Sequence, residues 1–355
     1  MTGGGDAPGL NAVIRSFVKR AVGQLGWEVV GIEDSFNGLM ETPRRVRRLQ
    51  PQDCQGLLAR GGTVLGTTNR GDPFSYPDGL GRKNRSVELK AGFEAEGLDG
   101  LVVIGGDGTQ AIGLRVMDEL GIPVVGVPKT IDNDLSATDQ TFGFQSAVDV
   151  ATDALDRLHT TAASHQRVMF LEVMGRDAGH IALHAGLAGG ADVILIPEIP
   201  YDPARITDKI RRRGEVGRPS TLVVVAEGAL PARRDGSAVP VAEAKARLKT
   251  GRGAAQIAMA QISGSVDAEM RTTVLGHIQR GGSPVAFDRV LATRFGVAAV
   301  DLIADGRWGE MVRLEHGHVT GVSIREAIET YRLVDVNGEL VRAARAVGVE
   351  FGEVR

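Results

Sequence analysis

One stretch limits what this chain can fold into more than any other: Leu101-Val102-Val103-Ile104-Gly105-Gly106-Asp107-Gly108-Thr109. Four apolar residues in a row suit a strand covered on both faces of a parallel sheet. The run breaks into glycines around one carboxylate. Beyond it Ala111, Leu114, Met117 and Leu120 recur at helical spacing until Gly121 ends the pattern, so strand, turn and helix follow in that order. A glycine turn at a helix N-terminus aims backbone N–H groups at an anion. The missing Cβ atoms let phosphate oxygens come close. Asp107 adds a hard oxygen of the kind Mg²⁺ takes beside phosphates. The plainer reading of these residues is a strand-to-helix turn with a capping aspartate.

The same grammar fills the chain. Its 48 glycines fall at the ends of short Val/Ile/Leu runs, the layout of a doubly wound α/β protein. Strands are expected at 27–32, 61–70, 101–104, 123–128, 167–174, 192–197, 221–227, 271–278 and 310–315. Helices are expected at 10–21, 46–59, 87–96, 110–120, 144–160, after the 175–179 turn through 187, and at 205–213, 241–248, 254–264, 290–305 and 337–347. The proline- and glycine-bearing segment 71–85 reads as a surface loop. In an α/β unit a strand leads into a turn such as Gly3-Gly4-Gly5-Asp6-Ala7-Pro8-Gly9, yet only Met1-Thr2 precedes it. The expectation is a sheet without its first strand, or a misassigned start codon. At 355 residues the chain suits about two domains of roughly 150 residues, and no linker interrupts the alternation. The fold class is therefore α/β: two interleaved doubly wound, Rossmann-like lobes with mostly parallel sheets and the active site between them. Residues 1–143 plus 279–329 would form the larger lobe and 144–278 plus 330–355 the smaller.

Bulk properties exclude several classes. A net charge of −3 leaves no footprint for nucleic acid. The single cysteine, Cys54, rules out an intrachain disulfide and fits a reducing compartment. Apolar runs stop at four or five residues, far short of the ~20 that span a bilayer, and no secretory leader is evident. The expectation is a cytoplasmic protein without a membrane or nucleic-acid partner.

The chemistry collects at predicted strand ends. The 123–128 run delivers Lys129-Thr130-Ile131-Asp132-Asn133-Asp134 to the crevice where open α/β sheets bind ligands. Asp132 and Asp134 are paired carboxylates, one able to take a hydroxyl proton, the other to orient it or to bind metal through water. With Asp107 and Mg²⁺ bridging donor phosphates, they suit phosphoryl transfer, where positioning and charge neutralisation do most of the catalysis. Arg167, Arg176, Arg271, Arg280 and His277 lie in or beside apolar strands, where an arginine meets an anion; a phosphorylated substrate follows. Glu227 ends the run Leu222-Val223-Val224-Val225-Ala226 and could accept hydrogen bonds from sugar hydroxyls. His180 and His184 stand four apart, but no glutamate follows His180 and no third ligand is evident, so zinc is not expected. His316 and His318 read as a surface pair. Neither a Walker A lysine motif nor Gly-x-Gly-x-x-Gly follows a strand, which removes the P-loop and Rossmann dinucleotide readings.

Together the motifs resemble the bacterial-type 6-phosphofructokinase family. They are GGDAPGLN at 4–11, GGDGT at 105–109, PKTIDND at 128–134, SHQR at 164–167, EVMGRDAG at 172–179 and GHIQRGGSP at 276–284. They occur in family order across nearly the whole chain. The resemblance implies transfer of a phosphoryl group from ATP, with Mg²⁺, to the 1-hydroxyl of fructose 6-phosphate, the step that makes fructose 1,6-bisphosphate in glycolysis. It implies Asp132 as the base, Arg176 and Thr130 as stabilisers of the transferring group, and Asp107 as the Mg²⁺ ligand. Gly5, Gly106, Asp107, Gly108, Thr109, Arg70 and Lys129 would bind the donor in the larger lobe. Thr130, Ile131, Asp132, Arg167, Met174, Gly175, Arg176, Glu227, Arg271, His277 and Arg280 would bind fructose 6-phosphate, toward the smaller lobe. Residues like Arg167 and Arg271 reach a neighbour's site in the family, which implies a homodimer or homotetramer. The donor markers are mixed: Gly108 is typical of ATP-dependent members and Lys129 of pyrophosphate-dependent ones. ATP is expected, because Gly108 removes a side chain that would crowd and repel the nucleotide's α-phosphate, whereas a lysine attracts either donor. The alternatives are a pyrophosphate-dependent fructose-6-phosphate 1-phosphotransferase, or a catalytically impaired sugar-phosphate-binding protein if the short start matters.

Overall fold

The computed structural model describes residues 1–79, 81–232 and 253–354, which pack as two units. The first comprises Met1–Ile131, Leu135–Ser146 and Arg280–Tyr331; the second comprises Asp132–Asp134, Ala147–Gln279 and the chain from Arg332 onward. The helix expected at 241–248 lies outside the described residues.

In the first unit, four strands stand in the order His318–Ser323, Glu310–Glu315, Val124–Pro128, Leu101–Gly105. The last three run parallel and the first closes the edge antiparallel. Successive side chains of a strand point to opposite faces, and here each face buries its own core. Leu101, Val103 and Met311 join Phe93, Leu114 and Val116 on one side. Ile104, Val125, Val127 and Val312 join Leu10, Phe142 and Phe295 on the other. Phe142 and Phe295 meet edge to face at 6.4 Å, a favourable aromatic geometry.

Several expectations are corrected here. Where a first strand is expected to be missing, Met1–Gly3 forms no full strand but is bridged to the sheet edge. Thr2 pairs in parallel with Ile104, Gly3 N donates to Ile104 O at 3.0 Å, and Ile104 N donates to Met1 O at 3.1 Å. Paired this way, the Ile104 amide at the sheet edge is satisfied. An apolar cleft of about 710 Å³, lined in part by Phe17, Trp27, Leu98 and Val102, opens alongside. Segment 46–59 is not a helix. Val46–Leu49 pairs antiparallel with Val29–Ile32, and two short 3₁₀ turns follow, Pro51–Cys54 and Leu57–Ala59. Apolar residues three to four apart imitate a helix, but Pro51 lacks the N–H that a helix interior requires. Segment 61–70 forms no strand; the Asn11 side chain clips it, donating to Arg60 O and Gly61 O and accepting from Val64 N. The 71–85 loop contains a hairpin, Tyr76–Asp78 with Gly81–Lys83. His318–Ser323 is a strand, turned back on Glu310–Glu315 through His316 and Gly317, both at positive φ.

In the second unit, four strands are parallel throughout, in the order Met270–Val274, Val168–Val173, Thr221–Ala226, Val193–Leu195. Every residue of the middle two is buried, which accounts for their largely apolar sequence, broken by the buried Glu172 and Thr221. Helix Pro203–Glu215 begins with Asp202 accepting from Ala204 N at 2.9 Å and with proline at the first position, both N-terminal signals. The strand expected at 271–278 stops at Val274, because the chain turns through Gly276 at φ 49° into a 3₁₀ segment, Gly276–Arg280. Among the described residues no helix is long and apolar enough to cross a membrane.

Candidate active site

In the first unit, two glycine turns lie side by side. The Leu101–Gly105 strand delivers Gly106 as N-cap and Asp107 as the first residue of helix Asp107–Leu120. Gln110 pins this turn from within, its buried amide donating to the carbonyls of Val103, Gly105 and Val127. A Cβ on Gly105 would fall 2.3 Å from Thr109, and one on Gly3 would fall 2.8 Å from the same side chain. Both glycines are therefore required by close packing. A Cβ on Gly108 would meet nothing within 4 Å, so the space above that position is open.

The Gly3–Asp6 turn is held from three sides. Gly4 N donates to Thr68 O, and Thr67 Oγ1 donates to Gly4 O at 2.6 Å. The Lys129 ammonium donates to Gly5 O. Arg280 Nη1 donates to Asp6 O at 3.0 Å, with the guanidinium where a Gly5 side chain would begin. Lys129 N donates to Gly105 O at 3.0 Å, which seats the lysine beside the second turn. Thr130 and Ile131 follow, buried, with Thr141 Oγ1 donating to Thr130 O at 2.8 Å. Arg70 is exposed, in the loop that continues from Thr67 and Thr68. The Tyr331 hydroxyl donates to Asp107 Oδ2. Nothing in the sequence ties these two residues, 224 positions apart.

In the second unit, the C-terminal ends of the parallel strands gather the remaining candidates. Met174 follows Val168–Val173, and Gly175 and Arg176 take φ of 144° and 55°. A Cβ on Gly175 would strike Ala178 O at 2.5 Å, so glycine is needed for the turn. Arg176 N donates to Glu227 Oε1 at 2.8 Å, and Glu227 N donates to Val173 O. His277 is exposed on the turn after Met270–Val274. Gln279, fully buried, donates to Ala147 O and accepts from Met174 N at 2.7 Å. No local pattern marks Gln279, because its partners lie more than 100 residues away. Asp132 and Asp134 are 6% and 5% exposed, and Asn133 between them has φ 55°. Arg332 N donates to Asp134 O at 2.8 Å.

Arg167 and Arg271 are not brought to this group. They flank the opposite, N-terminal ends of Val168–Val173 and Met270–Val274, roughly 20 Å away at ~3.3 Å per strand residue. There both arginines pair with Glu269.

The two helix histidines serve packing. His180 Nε2 lies 3.0 Å from Arg332 O, and His184 Nδ1 lies 2.8 Å from His180 O. Burial holds the His180 imidazole down at about 4, and lowers that of His184 too. Below the ordinary histidine range the unfolded chain binds a proton that the folded one refuses. Stability is therefore complete above about pH 6.5 and falls as pH drops toward 4, by roughly 3 kcal/mol for His180 alone. Urea unfolding of His180→Gln across this interval should show a flatter pH dependence than the parent.

The family model described as phosphofructokinase matches residues 1–303. The chain is 51% identical over 354 residues to the ATP-dependent 6-phosphofructokinase 1 of Synechocystis sp., covering 99% of this chain and 97% of that one. It is 48% identical over 357 residues to a pyrophosphate–fructose 6-phosphate 1-phosphotransferase of Streptomyces coelicolor, covering 99% and 98%. Among solved structures, Pichia pastoris phosphofructokinase in the T-state superposes with a TM-score of 0.76 at 31% identity over 93% of this chain. The chain spans 37% of that yeast polypeptide.

Proposed function

The chain belongs to the phosphofructokinase family, and from that premise we propose that it phosphorylates fructose 6-phosphate at the 1-hydroxyl, with ATP as donor and Mg²⁺ as cofactor. Asp132 takes the proton of the 1-hydroxyl. The freed oxygen bonds to the γ-phosphorus as the bond to the β–γ bridging oxygen breaks, and ADP leaves with that electron pair. Thr130 and Arg176 meet the charge on the transferring oxygens. Gly5, Gly106, Gly108 and Thr109 line the donor's phosphates, with Lys129 and Arg70 as cations. Ile131, Met174, Gly175, Glu227, His277 and Arg280 hold the sugar phosphate. Asp107 fits Mg²⁺ in kind: one hard carboxylate at a helix start, with phosphates able to complete the shell. When bound there, Mg²⁺ neutralises charge on the donor's phosphates.

The observation that carries ATP over pyrophosphate is the open space above Gly108, which leaves room for the rest of a nucleotide. Lys129, the marker that points the other way, donates to the Gly5 carbonyl and so has a part in shaping the donor turn. The position of Arg167 and Arg271, at the far end of the strands from Arg176, supports a homodimer or homotetramer in which they serve a neighbour's substrate. The test is fructose 1,6-bisphosphate formation with ATP and pyrophosphate as parallel donors. Turnover with ATP is expected. Turnover confined to pyrophosphate would overturn the donor assignment, and none with either would overturn the reading.

A further inference from the structure

We infer that Tyr331 is a positioning residue for the metal carboxylate, holding one oxygen of Asp107 so that the group faces the donor's phosphates in a fixed orientation. This rests on the kinase reading above. The Tyr331 hydroxyl donates to Asp107 Oδ2, and a phenol O–H to a carboxylate is a strong, directional bond. Asp107 sits at the first position of its helix after three residues that contain two glycines. The strand and turn before it are held by Gln110, whose amide donates to the carbonyls of Val103, Gly105 and Val127. Carboxylates that ligate a metal are commonly oriented by such outer hydrogen bonds, whose loss weakens the metal about 10- to 100-fold.

Tyr331 is itself anchored where the chemistry needs a reference point. Its backbone pairs antiparallel with Leu135, and Thr330 Oγ1 meets Ser136 Oγ at 3.0 Å. The tyrosine is thus tied through its main chain to the segment that directly follows Asp132–Asp134, and through its side chain to the metal carboxylate. Its ring is half exposed at 53%, so Tyr331→Phe removes the hydroxyl without opening a core.

The experiment titrates Mn²⁺ into the full-length protein with a non-hydrolysable ATP analogue, followed by water proton relaxation, beside steady-state assays at varied Mg²⁺. Tyr331→Phe should weaken Mn²⁺ about tenfold and raise the half-saturating Mg²⁺ equally. At saturating metal, kcat and the fructose 6-phosphate KM should stay within twofold of the parent, a split that general damage to the fold would not give. Unchanged or tighter Mn²⁺ binding in Tyr331→Phe, with the parent binding normally, would overturn this inference alone. Failure of the parent to bind Mn²⁺ with the nucleotide would overturn the kinase reading and this inference with it.

Discussion

Asp132→Asn should lower kcat about 1000-fold, within the 10²–10⁴ range that a positioned general base contributes, with both substrate KM values within about threefold. The substitution is isosteric. Asp132 is 6% exposed, on a turn fixed by the left-handed Asn133, so an amide of the same shape keeps the local backbone while losing the ability to take a proton. An effect confined to kcat separates proton abstraction from substrate binding, since loss of an interaction made only in the transition state leaves KM alone. Asp134→Asn is the built-in control. Asp134 shares the burial and the charge, and its carbonyl is held by Arg332 N, so a small effect there assigns the base to Asp132. Equal turnover in parent and Asp132→Asn would sink the assignment.

The second large effect concerns the donor. Gly108→Asp should cut kcat/KM for ATP by two to three orders of magnitude while the protein folds normally. A Cβ at Gly108 meets nothing within 4 Å, and an acidic side chain in the first turn of a helix is mildly stabilising. The thermal midpoint should therefore hold or rise slightly. The cost falls on the nucleotide. A carboxylate about 4–5 Å from an α-phosphate at an effective dielectric near 20 is repelled by about 3–4 kcal/mol, which sets the predicted range. Steady-state kinetics with ATP, alongside a melting curve, checks both halves. A variant that melts normally and still uses ATP at the parent's rate would show that the nucleotide does not pass over Gly108.

The legible part of this fold is where local sequence and global packing ask for the same thing. Leu101–Gly105 and Leu222–Ala226 are apolar throughout because they are buried within their sheets. The Asp107 turn was visible because glycine, carboxylate and helix start are adjacent in sequence. Segment 46–59 failed for the converse reason. Val46, Leu49, Leu57 and Leu58 keep helical spacing, yet the first two belong to a strand and the others to a short turn. Only Pro51 marked the break. Gln279 and Tyr331 carry no local signal, since a lone amide and a lone phenol acquire meaning from Met174 and Asp107, each more than 100 positions away. The strand ends showed that Arg167 and Arg271 meet charge; they could not show that both lie at the other end of the sheet from Arg176.

The three residues Asp132–Asp134 pack with the second unit, while Ile131 before them and Leu135 after them pack with the first. This short excursion acts as a leash. Thr130 and Asp132 are two residues apart, and two residues of fully extended chain reach about 7 Å at most. The main chain at the proposed base therefore stays within that reach of the main chain at the threonine proposed to steady the transferring group. The chain thus sets by covalent bonds a maximum separation between the backbones of two residues on which the proposed chemistry depends.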